Sequence, residues 1–207
     1  MTAQSPFSYE PYPVNLEVDY PLQLSRWKIF VKWFLTIPHY IILAMLTIVV
    51  AVTTIISFFA ILFTGHYPSG LFRLAVGYLR YGVRVCLYVT LLRDEYPPFR
   101  LSDESGESYP IDLEVPYPEV LSRWKIFVKW LLAVPHWIIL LAISAAAVES
   151  LSLTAAITLV AFFAILFTTR YPAGLFELSV GIARWGLRVV AYVMLLRDDY
   201  PPFRLSL

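Results

Sequence analysis

Arg80 and Arg84 stand four residues apart in an otherwise apolar stretch, and Arg184 and Arg188 repeat the pair later in the chain. Residues four apart share one face of a helix. Each pair therefore offers two guanidinium forks on one side, a geometry suited to phosphate or carboxylate. Both pairs sit in longer stripes, Arg73-Gly77-Arg80-Arg84-Leu91 and Glu177-Gly181-Arg184-Arg188-Leu195. An arginine at mid-bilayer costs at least about 2.5 to 3.5 kcal/mol, so all four must face protein, water or lipid headgroups. In one reading they bond backbone carbonyls and the acids Glu177 and Glu149 between repeats, with Glu177 reaching Arg73 or Arg80. In a second they hold phosphates of anionic lipid. In a third they line a path for an anion, and a fourth lays the helix flat in the interface without crossing.

Other residues offer less. His39 and His136 occupy matched places, each after a proline. A symmetric pair of histidines can ligate a haem or pigment between two copies, and an interfacial polar role is the plainer alternative. His66 has no twin and reads as a loop residue. Asp94-Glu95 and Asp198-Asp199 resemble paired catalytic carboxylates. Each pair follows an arginine and precedes Tyr-Pro-Pro, which marks a helix end with solvated partners for nearby cations. The one cysteine, Cys86, excludes an internal disulfide or a multi-cysteine metal site. No zinc-protease, nucleophile-elbow or phosphate-loop motif is present. The expectation is a protein that is not an enzyme and has no metal and no cofactor.

The chain that must position these groups is written twice. Residues 24–38, LSRWKIFVKWFLTIP, return as residues 121–135, LSRWKIFVKWLLAVP. RDEYPPF at 93–99 returns as RDDYPPF at 197–203, and the shift between copies grows from 97 to 104. The second copy thus carries seven extra residues in its first apolar stretch. The predicted units are a first repeat at 1–101, a linker at 102–108 and a second repeat at 109–207.

Of 207 residues 59% are hydrophobic and 15% charged, with a mean hydropathy of +0.68. Soluble domains carry about 25% charge, so the balance indicates a membrane protein. A net charge of +1 gives no reason to expect nucleic acid. The N-terminus lacks the basic and apolar segments of a cleavable signal.

Within each copy the pattern predicts a strand (14–20 and 111–115) from its period-two alternation. Short alternations at 99–101 and 203–205 are expected to complete a four-piece sheet. Ser25 and Ser122 read as N-caps. Behind them Arg26, Trp27, Lys28, Lys32 and Trp33, with twins Arg123, Trp124, Lys125, Lys129 and Trp130, suit an amphipathic helix lying among lipid headgroups. Residues 40–64 carry no formal charge, and 137–168 carry only Glu149. About 20 apolar residues cross a bilayer, so each begins a hairpin completed by a second helix (71–92 and 175–196). The seven added residues approximate two turns and are expected to lengthen the helix without rotating it. Two crossings return the chain to its starting side, so the copies are expected to be parallel about an axis along the membrane normal.

Arg26, Lys28, Lys32, Arg93, Arg100, Arg123, Lys125, Lys129, Arg197 and Arg204 fall on the side of the termini, against Arg170 and Arg73 opposite. The positive-inside rule then puts termini and sheet in the cytoplasm.

The motifs SRWKIFVKWFLTIPHY, FFAILFTGHYPSGLF and YLRYGVRVCLYVTLLRDEYPPF resemble a bacterial membrane family catalogued as domain of unknown function 4389. The resemblance runs over 12–101 and 109–205. Thr169 in place of Gly65, and Glu177 in place of Arg73, depart from identical copies. The resemblance implies a fold type in a bacterial cytoplasmic membrane and carries no activity.

The combined expectation is an all-α integral membrane protein of four transmembrane helices in two parallel-repeat hairpins. Two interfacial amphipathic helices and a small cytoplasmic β-sheet complete it. Its expected role is non-enzymatic, as a structural or accessory subunit packing against other integral membrane proteins and anionic lipids. Lipid or anion binding or transport by the arginines is the alternative, and haem or pigment binding by the histidines a further one.

Overall fold

The computed structural model describes residues 12–102, 109–144 and 152–206. In chain order these form β1 (Asn15–Val18), α1 (Lys28–Thr64), α2 (Ser69–Val89), β2 (Ile111–Glu114), α3 (Lys125–Ser144), α4 (Leu153–Thr168) and α5 (Ala173–Val193). The protein is mostly helical, with one small two-stranded sheet. Among the described residues α1 and α3 are long and apolar enough to cross a membrane, and α4 is a shorter apolar helix.

The headgroup helix and the first apolar stretch are one element, a correction to the expected break at the proline. α1 runs through Pro38 for 37 residues. An interior proline removes a helix hydrogen bond, yet here the packing face does not turn. Ile29, Lys32, Thr36 and His39 before or beside it, and Val50, Ser57 and Ile61 after it, form one buried stripe. A straight helix is what keeps that stripe against α2. The expected N-cap also moves. Trp27 holds the cap position without a side-chain bond, while the Ser25 and Ser122 amides donate at 2.6 Å to Asp94 Oδ2 and Asp198 Oδ2.

The lengthened stretch of copy two is not one helix. α3 is described as far as Ser144, and a separate helix α4 begins at Leu153, where the non-helical Ser152 caps it by accepting from the Ala155 amide at 3.2 Å. Glu149 lies outside the described residues. α2 and α5 both stop at a leucine in left-handed backbone, Leu91 (φ 63°) and Leu195 (φ 64°). That conformation costs a non-glycine residue roughly 1–2 kcal/mol. Both leucine side chains are fully buried, which offsets the strain.

Three layers result. α2 and α5 form the middle, and among the described residues neither exposes a large hydrophobic side chain. The sheet and the two tails cover one face. α1, α3 and α4 cover the other and carry a long exposed stripe, Phe30-Phe34-Ile37-Ile41-Met45-Ile48-Val52-Ile55-Phe59-Phe63 in α1 alone. The expected four-piece sheet reduces to β1 and β2. The segments 99–101 and 203–205 form no strand and lie as straps on α2 and α5, across Gly77 and Gly181.

The copies interlock about a dyad. β1 and β2 pair antiparallel, and the twins Leu16 and Leu113 are register partners, so the axis passes through that pair. The Leu24 amide donates to Thr169 O, and the Leu121 amide to Gly65 O, each at 2.8 Å. Phe30 and Trp33 pack on Phe162 of α4, while Phe58 packs on Phe127 and Trp130 of α3. The start of α1 therefore lies beside the end of α4, and its end beside the start of α3. Corresponding outer helices are antiparallel, which corrects the expected parallel hairpins. The antiparallel sheet and the two crossed amide bonds impose this direction.

A Cβ at Gly77 would stand 2.8 Å from Leu101 Cβ, and one at Gly181 2.7 Å from Leu205 Cβ. Gly77→Ala and Gly181→Ala are each expected to lower stability by about 1–3 kcal/mol through overpacking. Gly82→Ala, whose Cβ meets only Leu43 Cδ2 at 3.9 Å, is expected to be neutral or slightly stabilising. Thermal unfolding of the three variants in one detergent checks this.

Candidate functional site

The four arginines converge under the sheet and straps. Arg184 Nε donates to Leu16 O at 3.0 Å, and its Nη1 to Leu205 O at 2.9 Å. Arg188 donates to Val14 O (3.5 Å), Arg204 O (3.3 Å) and Ser206 O (3.0 Å). Arg80 reaches Leu113 O and Arg84 reaches Arg100 O, each at 3.4 Å. The pattern is crossed: Arg184 and Arg188 of copy two hold the β1 segment of copy one, and Arg80 holds β2 of copy two. Irregular backbone needs donors when buried, and a guanidinium supplies five in a fixed fork.

Each inner arginine is also capped by a ring from the other copy. The Arg84 guanidinium lies 5.3 Å from the Tyr109 ring and that of Arg188 5.6 Å from the Tyr12 ring, within cation–π range. Tyr12 Oη donates to Asp199 O at 3.0 Å, and Tyr109 Oη to Glu95 O at 2.9 Å. Burial first, and the nearby carboxylates Asp199 and Glu95 next, hold both phenols above their ordinary range. Both stay protonated and available as donors.

Of the acids expected to partner the arginines, Glu177 is exposed, as is Arg73. Among the described residues the two do not pair. The acids that matter for burial are elsewhere. Lys32 Nζ lies 2.7 Å from Asp94 Oδ1 and donates to Arg93 O at 2.6 Å. Lys129 repeats this with Asp198 Oδ1 at 2.7 Å and Arg197 O at 2.8 Å. Both lysines are fully buried, beside the Tyr88 and Tyr192 rings at 5.1 and 5.4 Å. Their expected contact with lipid headgroups is thus overturned. Lys32 lies three residues after Ile29 and four before Thr36, on the face that meets α2. Arg26, Trp27, Lys28 and Trp33, with Arg123, Trp124, Lys125 and Trp130, are exposed as a headgroup contact requires.

His39 and His136 are fully buried. His39 Nδ1 meets Tyr81 Oη at 2.6 Å, and its ring stacks on Phe99 with centroids 4.4 Å apart. Trp185 Nε1 donates to His136 Nδ1 at 3.1 Å, and that ring stacks on Phe203 at 3.9 Å. Each histidine is enclosed by rings of its own copy. No group of three or more metal-ligating side chains occurs among the described residues.

The arginines, histidines and lysine–aspartate pairs fall within the two segments matched by a family model, Domain of unknown function (DUF4389), at residues 26–100 and 123–204, while the strands and tyrosine lids lie outside them. The chain belongs to the DUF4389 family. It contains two DUF4389 copies in tandem. No curated protein and no solved structure matches the chain. Each DUF4389 copy contains its own lysine–aspartate pair and its own stacked histidine. The strand and ring that cover its arginines come from the other copy.

Sequence reasoning missed the lysine–aspartate pairs and the tyrosine lids. One signal was readable: Lys32 lies opposite the Phe30–Phe34 stripe on a helical wheel. Removing one partner of a buried pair leaves an uncompensated charge, at a cost of about 3–5 kcal/mol. Lys32→Met is expected to lose stability in that range, whereas Lys28→Ala on the surface changes it by no more than about 0.5 kcal/mol. Denaturant unfolding in detergent measures both. Equal effects of the two would contradict the buried pair.

Proposed function

We propose that the protein is a non-enzymatic membrane-embedded structural subunit. It lies within one leaflet of the cytoplasmic membrane, with its dyad along the normal and its sheet toward the cytoplasm. The observation that carries this is one-sided exposure: large apolar side chains are exposed along the whole of α1, α3 and α4, with none on α2 or α5 among the described residues. A helix with one apolar face suits the boundary of headgroups and acyl chains.

Four crossings, the arrangement suggested by hydropathy, fit the dyad less well. With antiparallel outer helices spanning the bilayer, the axis would lie in the membrane plane, at mid-depth. The sheet sits on that axis, and its Glu17, Asp112 and Glu114 are exposed. Each would then face hydrocarbon, at roughly 2.5–3.5 kcal/mol apiece. With the helices in plane, the same carboxylates face water. The exposed Arg26-Trp27-Lys28 and Arg123-Trp124-Lys125 clusters then share one depth, where the cations meet anionic headgroups and the indoles sit at the interface.

The buried arginines favour a structural role over transport, because their forks are already engaged by carbonyls. The placement of the histidines, each within its own ring cluster, gives no support to a haem or pigment held between copies. The apolar face also offers lateral contact to other membrane proteins, the accessory role suggested by the lack of catalytic motifs.

Depth measurement tests the membrane pose. Nitroxides placed singly at positions 34, 48 and 63, in a Cys86→Ser background, are expected to report one common depth in lipid nanodiscs. Positions 34 and 63 are about 43 Å apart along a helix, more than the roughly 30 Å hydrocarbon core. A steady progression of depth from 34 to 63 would overturn the pose. For the accessory role, purification from native membranes is expected to recover stoichiometric partner chains, and a monomer in every mild detergent would remove it.

A further inference from the structure

On the side of the middle layer away from the arginines, α2 and α5 line an open cavity of about 370 Å³, where Cys86 is exposed. Small-molecule sites run from roughly 300 to 1,000 Å³. Its walls come from both copies: Leu79, Val83 and Cys86 of α2 face Ile182 and Leu187 of α5, with Leu140 of α3 beside them. Among the described residues no charged side chain lines it. Most of its hydroxyls are engaged, among them Thr158 with Thr154 O at 2.8 Å, Thr90 with Cys86 O at 2.7 Å and Ser179 with Tyr171 Oη at 3.4 Å. A charged group inside would meet mostly apolar wall, at a desolvation cost.

Two features mark the volume as more than loose packing. Gly82 and its twin Gly186 line it, and a Cβ on either would meet only one leucine methyl, at 3.9 Å. Backbone approach does not demand glycine there, in contrast to Gly77 and Gly181. The cavity also lies where the copies diverge. Tyr78 of copy one bonds Thr47 at 3.0 Å, while copy two has the shorter Ile182 and Ser144 at the matching places. The outer wall includes Leu140 and Ser144 of α3 and Thr154 and Thr158 of α4, helices whose exposed faces are apolar.

We propose that this cavity holds one acyl chain of a membrane phospholipid, with the headgroup left outside. The proposal rests on the apolar face lying in lipid, as argued above. The occupant is a single hydrocarbon chain because the walls are mostly apolar and no cation among the described lining residues is offered to a headgroup. A chain drawn in from the leaflet would lock α2 to α5 across the dyad.

The full chain in nanodiscs, doped with phosphatidylglycerol bearing a diazirine near the tail end, provides the test. After irradiation, adducts are expected on the α2 peptide containing Cys86 and on the α5 peptide containing Ile182, as well as on the outward stripe of α1. Gly82→Leu with Gly186→Leu is expected to reduce the cavity adducts at least tenfold and leave the stripe adducts unchanged. Thermal unfolding of that variant checks that it folds. Cys86, the sole thiol, gives a second readout: N-ethylmaleimide should alkylate it at least tenfold faster in delipidated wild-type protein than in the lipid-loaded protein. Adducts on the stripe alone, with Cys86 equally reactive in both states, would overturn the proposal. A diazirine fatty acid that labels the cavity when the phospholipid does not would overturn the phospholipid source. Absence of stripe adducts as well would instead refute the membrane pose beneath it.

Discussion

The constraint on which the rest of the structure depends is the covering of four guanidinium groups carried by otherwise apolar helices. Such a group is stable only with donors satisfied and charge partly offset. Here the partners are backbone carbonyls of strands and straps, with tyrosine rings over the inner two. The straps come from the same copy as the arginines they cover, while the strands and tyrosine rings come from the other. Covering the arginines therefore ties the two copies together. It also accounts for the sheet's small size, since two strands on the dyad suffice to present carbonyls to both helices.

The same covering divides the molecule into unlike faces. Polar backbone, acids and straps accumulate over the arginines, so the apolar surface is left to α1, α3 and α4. The buried lysine–aspartate pairs hold this division from within. Asp94 and Asp198 each bind a lysine with one carboxylate oxygen and an incoming amide with the other. The end of each middle helix is thereby tied to the start of the outer helix that covers it. Buried pairs are weak evidence of stability, since desolvation offsets the attraction. Their value here is in register: they fix where α1 and α3 begin relative to α2 and α5.

Perfect symmetry is broken in one place. Copy one crosses its outer face with the single helix α1, while copy two uses α3 and α4. The middle helices differ correspondingly, with Tyr78 opposite Ile182. The arginine side of the layer keeps the twofold pattern. The change in helix number falls on the apolar side, where the cavity lies.

The sequence by itself determined the duplication, the strands before each outer helix, the turns at Gly65 and Thr169, and the apolar character of the outer helices. These are local or periodic properties, legible because each depends on residues near one another in the chain. It also singled out Arg80, Arg84, Arg184 and Arg188 as groups that must be shielded. Only the tertiary structure decided what shields them, because carbonyls of Leu16, Leu113 and Arg204 are backbone atoms without a side-chain signature. It likewise decided that Lys32 and Lys129 turn inward and that α1 continues through Pro38. The wheel places Lys32 opposite the Phe30–Phe34 stripe, but Asp94 and Asp198, which Lys32 and Lys129 meet, come from the chain after α2 and α5. The direction of one copy relative to the other was equally invisible in hydropathy. A hydrophobic stretch reads the same whether its neighbour runs with it or against it, and only the pairing of Leu16 with Leu113 set the sense.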